Sequence, residues 1–241
     1  MLLGARQFFE RRGAPSWRNP YVTDGLVAMW DGEWNAGGGV HDAVATTWKN
    51  LVRGVDLVCS QYASFTDNSL ACSSFPGGGT LAYSEEFVNS VQQVEVCARF
   101  VPSGGWVRNF LVLVKNGVQD YCGIGTYNNT VRTDFHEDGI VRESWQTPFG
   151  LNYFSSKQSC SYAKGVHLSS AHGEYNDTYI VTENFPSTNL PTENYGIFIG
   201  HPGGNAPALI DVSCVRLYSR TLTADEIAQN YAIDKVRFNL P

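Results

Sequence analysis

The chain has 241 residues, of which 17% are charged and 13% aromatic, with 24 glycines and a formal net charge of −6. The charged fraction is below the roughly 25% of an ordinary soluble domain, and 43% hydrophobic content excludes intrinsic disorder. The negative balance argues against a nucleic-acid or anionic-membrane partner, and no run approaches the ~18 continuous apolar residues of a membrane span.

Residues 1–20 (MLLGARQFFERRGAPSWRNP) hold four arginines, Arg6, Arg11, Arg12 and Arg18, against one acid, Glu10. Leu2, Leu3, Phe8 and Phe9 are scattered among polar residues, so the segment lacks the continuous apolar run of a secretory signal. It reads as a leader ahead of one domain spanning 21–241. Two readings stay open for it: a flexible terminus, or an anchoring peptide that inserts those apolar side chains into a partner. The six cysteines, Cys59, Cys72, Cys97, Cys122, Cys160 and Cys214, form no C-x-x-C pair, and without a secretory signal free thiols are expected.

After Pro20 the chain reads as strands and turns. The clearest strands are GLVAMWDG (25–32), VDLVCS (55–60), GTLAYS (79–84), VQQVEVCARFV (91–101), NFLVLVKNG (109–117), DYCGIGTY (120–127), YGIFIGH (195–201) and LIDVSCVRLYSR (209–220). Each is short, rich in β-branched or aromatic residues and bounded by Gly, Pro, Asn or Asp. The less regular stretch 145–194 adds YFSSKQ, GVHLSSAHG and TYIVTE. Alternation places Val94, Val96 and Ala98 opposite Glu95, Cys97 and Arg99, and puts Ile210, Val212, Cys214, Arg216 and Tyr218 on one face. Many short strands with little helix between them predict an all-β sandwich of two antiparallel sheets. One C-terminal helix is expected over 224–236. Thr223-Ala224-Asp225-Glu226 forms a capping box, and Ile227, Tyr231, Asp234 and Phe238 share a face. Trp30 and Trp48 are expected in the core.

Two motifs carry a resemblance. The run IDVSCVRLYSRTLTADEIAQNYAIDKVRF contains Arg216-Leu217-Tyr218-Ser219-Arg220, then Leu222, Thr223, Glu226 and Ile227, then Asn230-Tyr231. It is similar to the closing strand and helix of laminin-G-like domains. GLVAMWDG followed by TTWKNL resembles their opening strand and W-x-[DN]-L segment. The resemblance implies one concanavalin A-like jelly roll bracketed by the two motifs. The chain departs from many relatives after W-x-[DN]-L, carrying Val52-Arg53-Gly54-Val55-Asp56 in place of a loop rich in Gly, Asn and Asp.

Candidate chemistry is sparse. The E-x-D-x-x-E pair of carboxylates used by laminarinase-type glycosidases on this fold is absent, as are G-x-S-x-G and H-E-x-x-H, so no catalytic residue is assigned. In DGEWNAGGGVHD (31–42), Asp31, Glu33 and Asn35 alternate and Asp42 stands twelfth, a spacing like that of a calcium loop. Asp31, Asn35 and Asp42 are therefore candidate Ca2+ ligands. The same stretch also reads as a turn in which Asp31 and Asn35 bond nearby backbone amides. Trp34, His41, Trp106, Tyr127 and Trp145 adjoin turn residues and are candidate glycan-binding positions, although Trp and Tyr in a sandwich also serve its core.

Three functions are compatible with these features. The first is a non-catalytic recognition or adhesion module that binds surface carbohydrate or a cell-surface receptor. The second is a structural decoration protein of a phage head or tail, docked on the virion through residues 1–20 and exposed after lysis, with or without a homo-oligomeric state. The third is a glycan-active hydrolase.

Overall fold

The computed structural model describes residues 18–72, 80–87, 93–100, 108–114, 121–127, 130–137, 140–148, 153–158, 166–173, 176–184, 195–200, 210–220 and 222–238. The expected leader, except for Arg18, Asn19 and Pro20, lies outside the described residues, as does Trp106. The strands in chain order are β1 (Leu26–Asp31), β2 (Thr47–Trp48), β3 (Leu57–Cys59), β4 (Ala63–Phe65), β5 (Leu70–Cys72), β6 (Thr80–Phe87), β7 (Gln93–Phe100) and β8 (Arg108–Val114). There follow β9 (Tyr121–Tyr127), β10 (Thr130–Glu137), β11 (Ile140–Pro148), β12 (Tyr153–Gln158), β13 (Val166–Gly173), β14 (Asn176–Asn184), β15 (Tyr195–Gly200), β16 (Ile210–Tyr218) and the helix α1 (Ala224–Arg237).

The strands form two antiparallel sheets. The first runs β14-β13-β12-β7-β16-β5-β4, with β1 sharing the far edge of β16; the second runs β11-β10-β9-β8-β15-β6-β3-β2. Sequence neighbours pair as meanders at the ends of both sheets (β9-β10-β11 and β12-β13-β14), as short loops allow. The two sheets meet where Trp48 of β2 packs edge-on against Phe65 of β4, ring centroids 5.8 Å apart. The Trp48 indole N–H reaches across to the Asp31 carbonyl at 2.8 Å, which satisfies the polar atom of a fully buried ring.

The register of the first sheet sorts its residues into two faces. One face carries the rung Trp30–Val215–Val96, the other the rungs Met29–Arg216–Glu95 and Asp31–Cys214–Cys97. All nine residues are buried, so this sheet is covered on both sides: by the second sheet on one and by α1 on the other. A bulge between Val212 and Cys214 corrects the expected alternation along β16. It adds one residue, Ser213, and puts Val212 on the inter-sheet face while Cys214, Arg216 and Tyr218 face the helix. Beneath α1 lies a core of Tyr21, Val22, Leu26, Met29, Cys97, Cys214, Tyr218, Leu222 and Ile227. The helix begins as its sequence predicts. The Glu226 amide donates to the Thr223 hydroxyl and the Thr223 amide to the Glu226 carboxylate.

Two glycines are required by this packing. A Cβ on Gly32, just beyond β1, would stand 2.5 Å from the Ser69 backbone. Gly25 turns into β1 with φ of 75°, a left-handed conformation that other residues enter at a cost.

Candidate functional site

The residues that carry the family-like motifs converge under α1. Arg216 donates from Nε to Glu95 at 2.9 Å and from its two Nη atoms to Asp234 at 3.0 and 2.5 Å. The Asn230 amide links Glu95 (2.7 Å) to the Tyr218 hydroxyl (2.9 Å). Arg216, Glu95, Asn230 and Asp234 are fully buried. Burial alone would push the Arg216 guanidinium toward losing its proton, and Asp234 and Glu95 more than offset this, leaving its pKa above the ordinary value. The thiols of Cys97 and Cys214, free and buried beside this network, are held well above the usual range by burial. Cys97 packs as a small apolar side chain, as expected, and the Cys214 Sγ also accepts from an Arg216 Nη at 3.4 Å.

A second arginine extends the network to the surface. Arg237 in the last turn of α1 binds both Asp31 oxygens (2.7 and 3.0 Å) and the Glu33 carboxylate (2.7 Å). Its guanidinium lies 3.5 Å from the centroid of Trp34, a close cation–π stack. The W-x-[DN]-L motif is structural too. The Asn50 side-chain oxygen accepts from the amides of Met29 (3.2 Å) and Val52 (3.0 Å), tying the loop to the free edge of β1.

The three residues expected as Ca2+ ligands are engaged with other groups in this geometry. The residues do not fit the ion, because both oxygens of Asp31 are taken by a guanidinium and Asp31 Oδ1 also accepts the amides of Glu33 and Trp34. The Asn35 side chain is buried and exchanges a pair of hydrogen bonds with the Asp42 backbone, and the Asp42 carboxylate caps the Val44 amide. The stretch is the turn that the alternative reading described. No group of three or more His, Cys, Asp or Glu side chains able to hold a metal occurs among the described residues.

Of the candidate glycan residues, Trp34 and His41 lie near β1, and Tyr127 and Trp145 lie in strands of the second sheet. Trp34 stacks on Arg237 with one ring face, beside the helix-covered sheet. His41 is exposed near it, its Nδ1 3.1 Å from the Gly32 carbonyl; since a carbonyl only accepts, Nδ1 carries the proton in that contact. Tyr127 and Trp145 belong to the other sheet, where they pair with Thr130 and Thr133 of β10.

The second sheet offers a different surface. Leu57, Ala82, Ile197 and Ile199 are buried on its inner face. On the outer face, Tyr83 and Phe198 are half-buried cross-strand partners whose rings stack with centroids 5.9 Å apart and planes 4° from parallel. Val58 pairs with Tyr83 and is 51% exposed. Phe198 lies over Gly196, where a Cβ would come within 2.6 Å of its ring. The backbone pairing continues this rung as Val58, Tyr83, Phe198, Val112, Gly123, Asp134 and Ser144. Residue type thus grades from apolar and aromatic at β3, β6 and β15 to polar at β10 and β11. Sequence reading missed Tyr83 and Phe198 as a pair, because they lie far apart in the chain and meet only through the β6–β15 register.

No family model matches the chain, and neither does any curated protein. Solved structures do. Trypanosoma rangeli sialidase bound to 2,3-difluorosialic acid as a covalent intermediate matches with a TM-score of 0.60 at 17% identity, over 86% of this chain and 32% of that one. The likeness shows the fold alone, an all-β sandwich of two antiparallel sheets with one C-terminal helix, as expected. Trypanosoma rangeli sialidase also matches with a TM-score of 0.53 at 17% identity, over the same shares. A sialidase CBM40 from Ruminococcus gnavus matches with a TM-score of 0.45 at 14% identity, over 67% of this chain and 95% of that one. The chain spans about one third of the length of the sialidase (32%).

Proposed function

We propose that this chain is a non-catalytic carbohydrate-recognition module that works through the outer face of its second sheet. The observation that carries the reading is the Tyr83–Phe198 pair, two stacked rings left half-exposed on a sheet face beside the exposed Val58. A sugar presents C–H groups from one side of its ring, and these pack on the electron-rich face of an aromatic side chain. Apolar groups gathered on an otherwise polar surface are the usual mark of a contact site.

The non-catalytic part of the reading rests on the acids. Most glycoside hydrolases set two carboxyl groups against the scissile bond, sialidases with a tyrosine nucleophile being an exception. Asp31, Glu95 and Asp234 are the fully buried carboxylates among the described residues, and each is bound to an arginine under the helix.

A printed array of neutral and sialylated mono- to hexasaccharides tests both parts. We expect the full chain to bind a subset of glycans, with Tyr83→Ala or Phe198→Ala weakening binding about tenfold or more while cooperative thermal unfolding is retained. Silence across the array, or binding indifferent to both substitutions, would contradict the site. Release of free sugar from the bound glycan on prolonged incubation would contradict the non-catalytic assignment.

A further inference from the structure

The segment Asn19–Val22 enters the fold in the manner of a bound peptide. It pairs with none of the strands described above. Its backbone is instead gripped by side chains: the Val22 amide donates to Asn230 Oδ1 at 3.0 Å, and the Val22 carbonyl accepts from the Tyr218 hydroxyl at 3.2 Å. The Tyr21 ring fills a buried slot with the Arg216 guanidinium 4.1 Å from its centroid. Its hydroxyl donates to Asp234 at 2.5 Å and accepts from Arg237 at 2.7 Å. The segment shapes itself as well, since Asn19 Oδ1 accepts from the Tyr21 amide at 3.0 Å.

The groups that bind the Val22 backbone and the Tyr21 hydroxyl come from β16 and α1, at the far end of the chain, while the Asn19 side-chain amide donates to Met29 Sδ of β1 at 3.5 Å. These groups also depend on their ligand. Withdrawing Tyr21 and Val22 would remove partners from Asn230, Tyr218, Asp234 and Arg237 in a site closed to water, and unpaired buried polar groups are strongly unfavourable. A vacated site therefore favours refilling. The connection to β1 is a turn, with the Leu26 amide on the Thr23 carbonyl at 3.1 Å and Gly25 at φ of 75°. A segment at one end of a fold, joined by a turn, exchanges between copies at low topological cost.

We propose that the seam between α1 and the first sheet is a peptide-binding site for an Asn-x-Tyr-Val segment bent at its tyrosine. It is filled in cis by residues 19–22 and accepts the same segment from a second copy of the chain. Backbone recognition comes from Asn230 and Tyr218. Selection for tyrosine comes from the hydroxyl slot between Asp234 and Arg237, which phenylalanine fills without pairing the polar groups.

The test uses the full chain carrying a protease site inserted after Asp24. After cleavage of the folded protein, the N-terminal fragment should co-elute with the body. It should be replaced by a fluorescent synthetic peptide of residues 18–24 (RNPYVTD). The Tyr21→Ala peptide should bind about tenfold or more weakly, and the Tyr21→Phe peptide at an intermediate level. Mixing two full-length copies that carry different labels should give mixed dimers after partial warming and cooling, and Tyr21→Ala in both copies should abolish them. Immediate loss of the cleaved fragment with the body still folded would overturn the proposal, as would equal binding of the alanine peptide. If cleavage unfolds the body, the uncut Tyr21→Ala protein is titrated with the wild-type peptide. Saturable binding that raises its unfolding midpoint supports the site, and no binding refutes it.

Discussion

The two sheets differ on their outer faces. The first turns Glu95, Cys97, Cys214, Arg216 and Tyr218 outward, then buries all of them beneath α1. The second turns Val58, Tyr83 and Phe198 outward and leaves them partly exposed. The face with the charges is closed, and the face with the aromatic rings is open. Residues that look chemically eventful in a sequence can therefore be the ones that hold the molecule together. The resemblance to laminin-G-like domains rests on the closed face, where Arg216, Tyr218, Glu226 and Asn230 dock the helix. A motif of this kind reports a fold and does not by itself report a function.

Substitutions can break this contrast in order of expected effect. Arg216→Leu strands Glu95 and Asp234 as buried, unpaired carboxylates. It should cost about 3–5 kcal/mol in urea unfolding, with glycan affinity unchanged in the fraction that remains folded. Tyr83→Ala should do the reverse, weakening glycan binding about tenfold or more with a smaller effect on stability. Thr223→Ala removes the helix cap and should cost about 1 kcal/mol, again without touching binding.

Acid titration sharpens the same contrast. Hydrogen bonding from Arg220 holds the Glu226 carboxyl down at about 2, below its ordinary 4.5. Its contribution to stability is therefore present above pH 4.5 and lost as pH falls through about 2. The stability gap between wild type and Glu226→Gln should close over that window. Asp31 has the opposite sign, because burial raises its carboxyl above the ordinary value despite Arg237; comparing the two proteins cancels its contribution. His41→Ala, on the exposed loop beside the closed face, should change stability by no more than about 0.5 kcal/mol and leave glycan binding unaltered.

Much of the fold was legible in local pattern. The helix expected over 224–236 is observed over Ala224–Arg237 with its capping box, and Trp30 and Trp48 are fully buried as expected. YFSSKQ, the VHLSSAHG part of GVHLSSAHG, and TYIVTE lie in β12, β13 and β14, with Gly165 outside the described residues. The strands β4 and β5 have only three residues each, too few for alternation to register. In β10, Thr130, Arg132, Asp134 and His136 alternate with Val131, Thr133, Phe135 and Glu137, and the density of polar residues hid a period-two pattern. The faces of β16 were misjudged because a single bulge reverses side-chain parity, and no residue at Ser213 announces it.

The candidate site was legible only in part. Asp31 and Trp34 were recognised as notable, but their partner Arg237 stands at the other end of the chain, and that distance turned an Arg-bound carboxylate into an apparent metal ligand. Aromatics beside turns were weighed for sugar binding because turns mark surfaces. Tyr83 and Phe198 sit within strands, and their partial exposure follows from the cross-strand register, which is not visible in local sequence.

The central claim is that the open face of the second sheet binds carbohydrate while the helix-covered face is structural. Calorimetric titration of the strongest array glycan into wild-type, Tyr83→Ala and Thr223→Ala proteins tests it most directly. The account predicts loss of affinity by about tenfold or more for Tyr83→Ala and wild-type affinity for Thr223→Ala. Wild-type affinity in the Tyr83→Ala protein, or no glycan bound by the wild type, would contradict it.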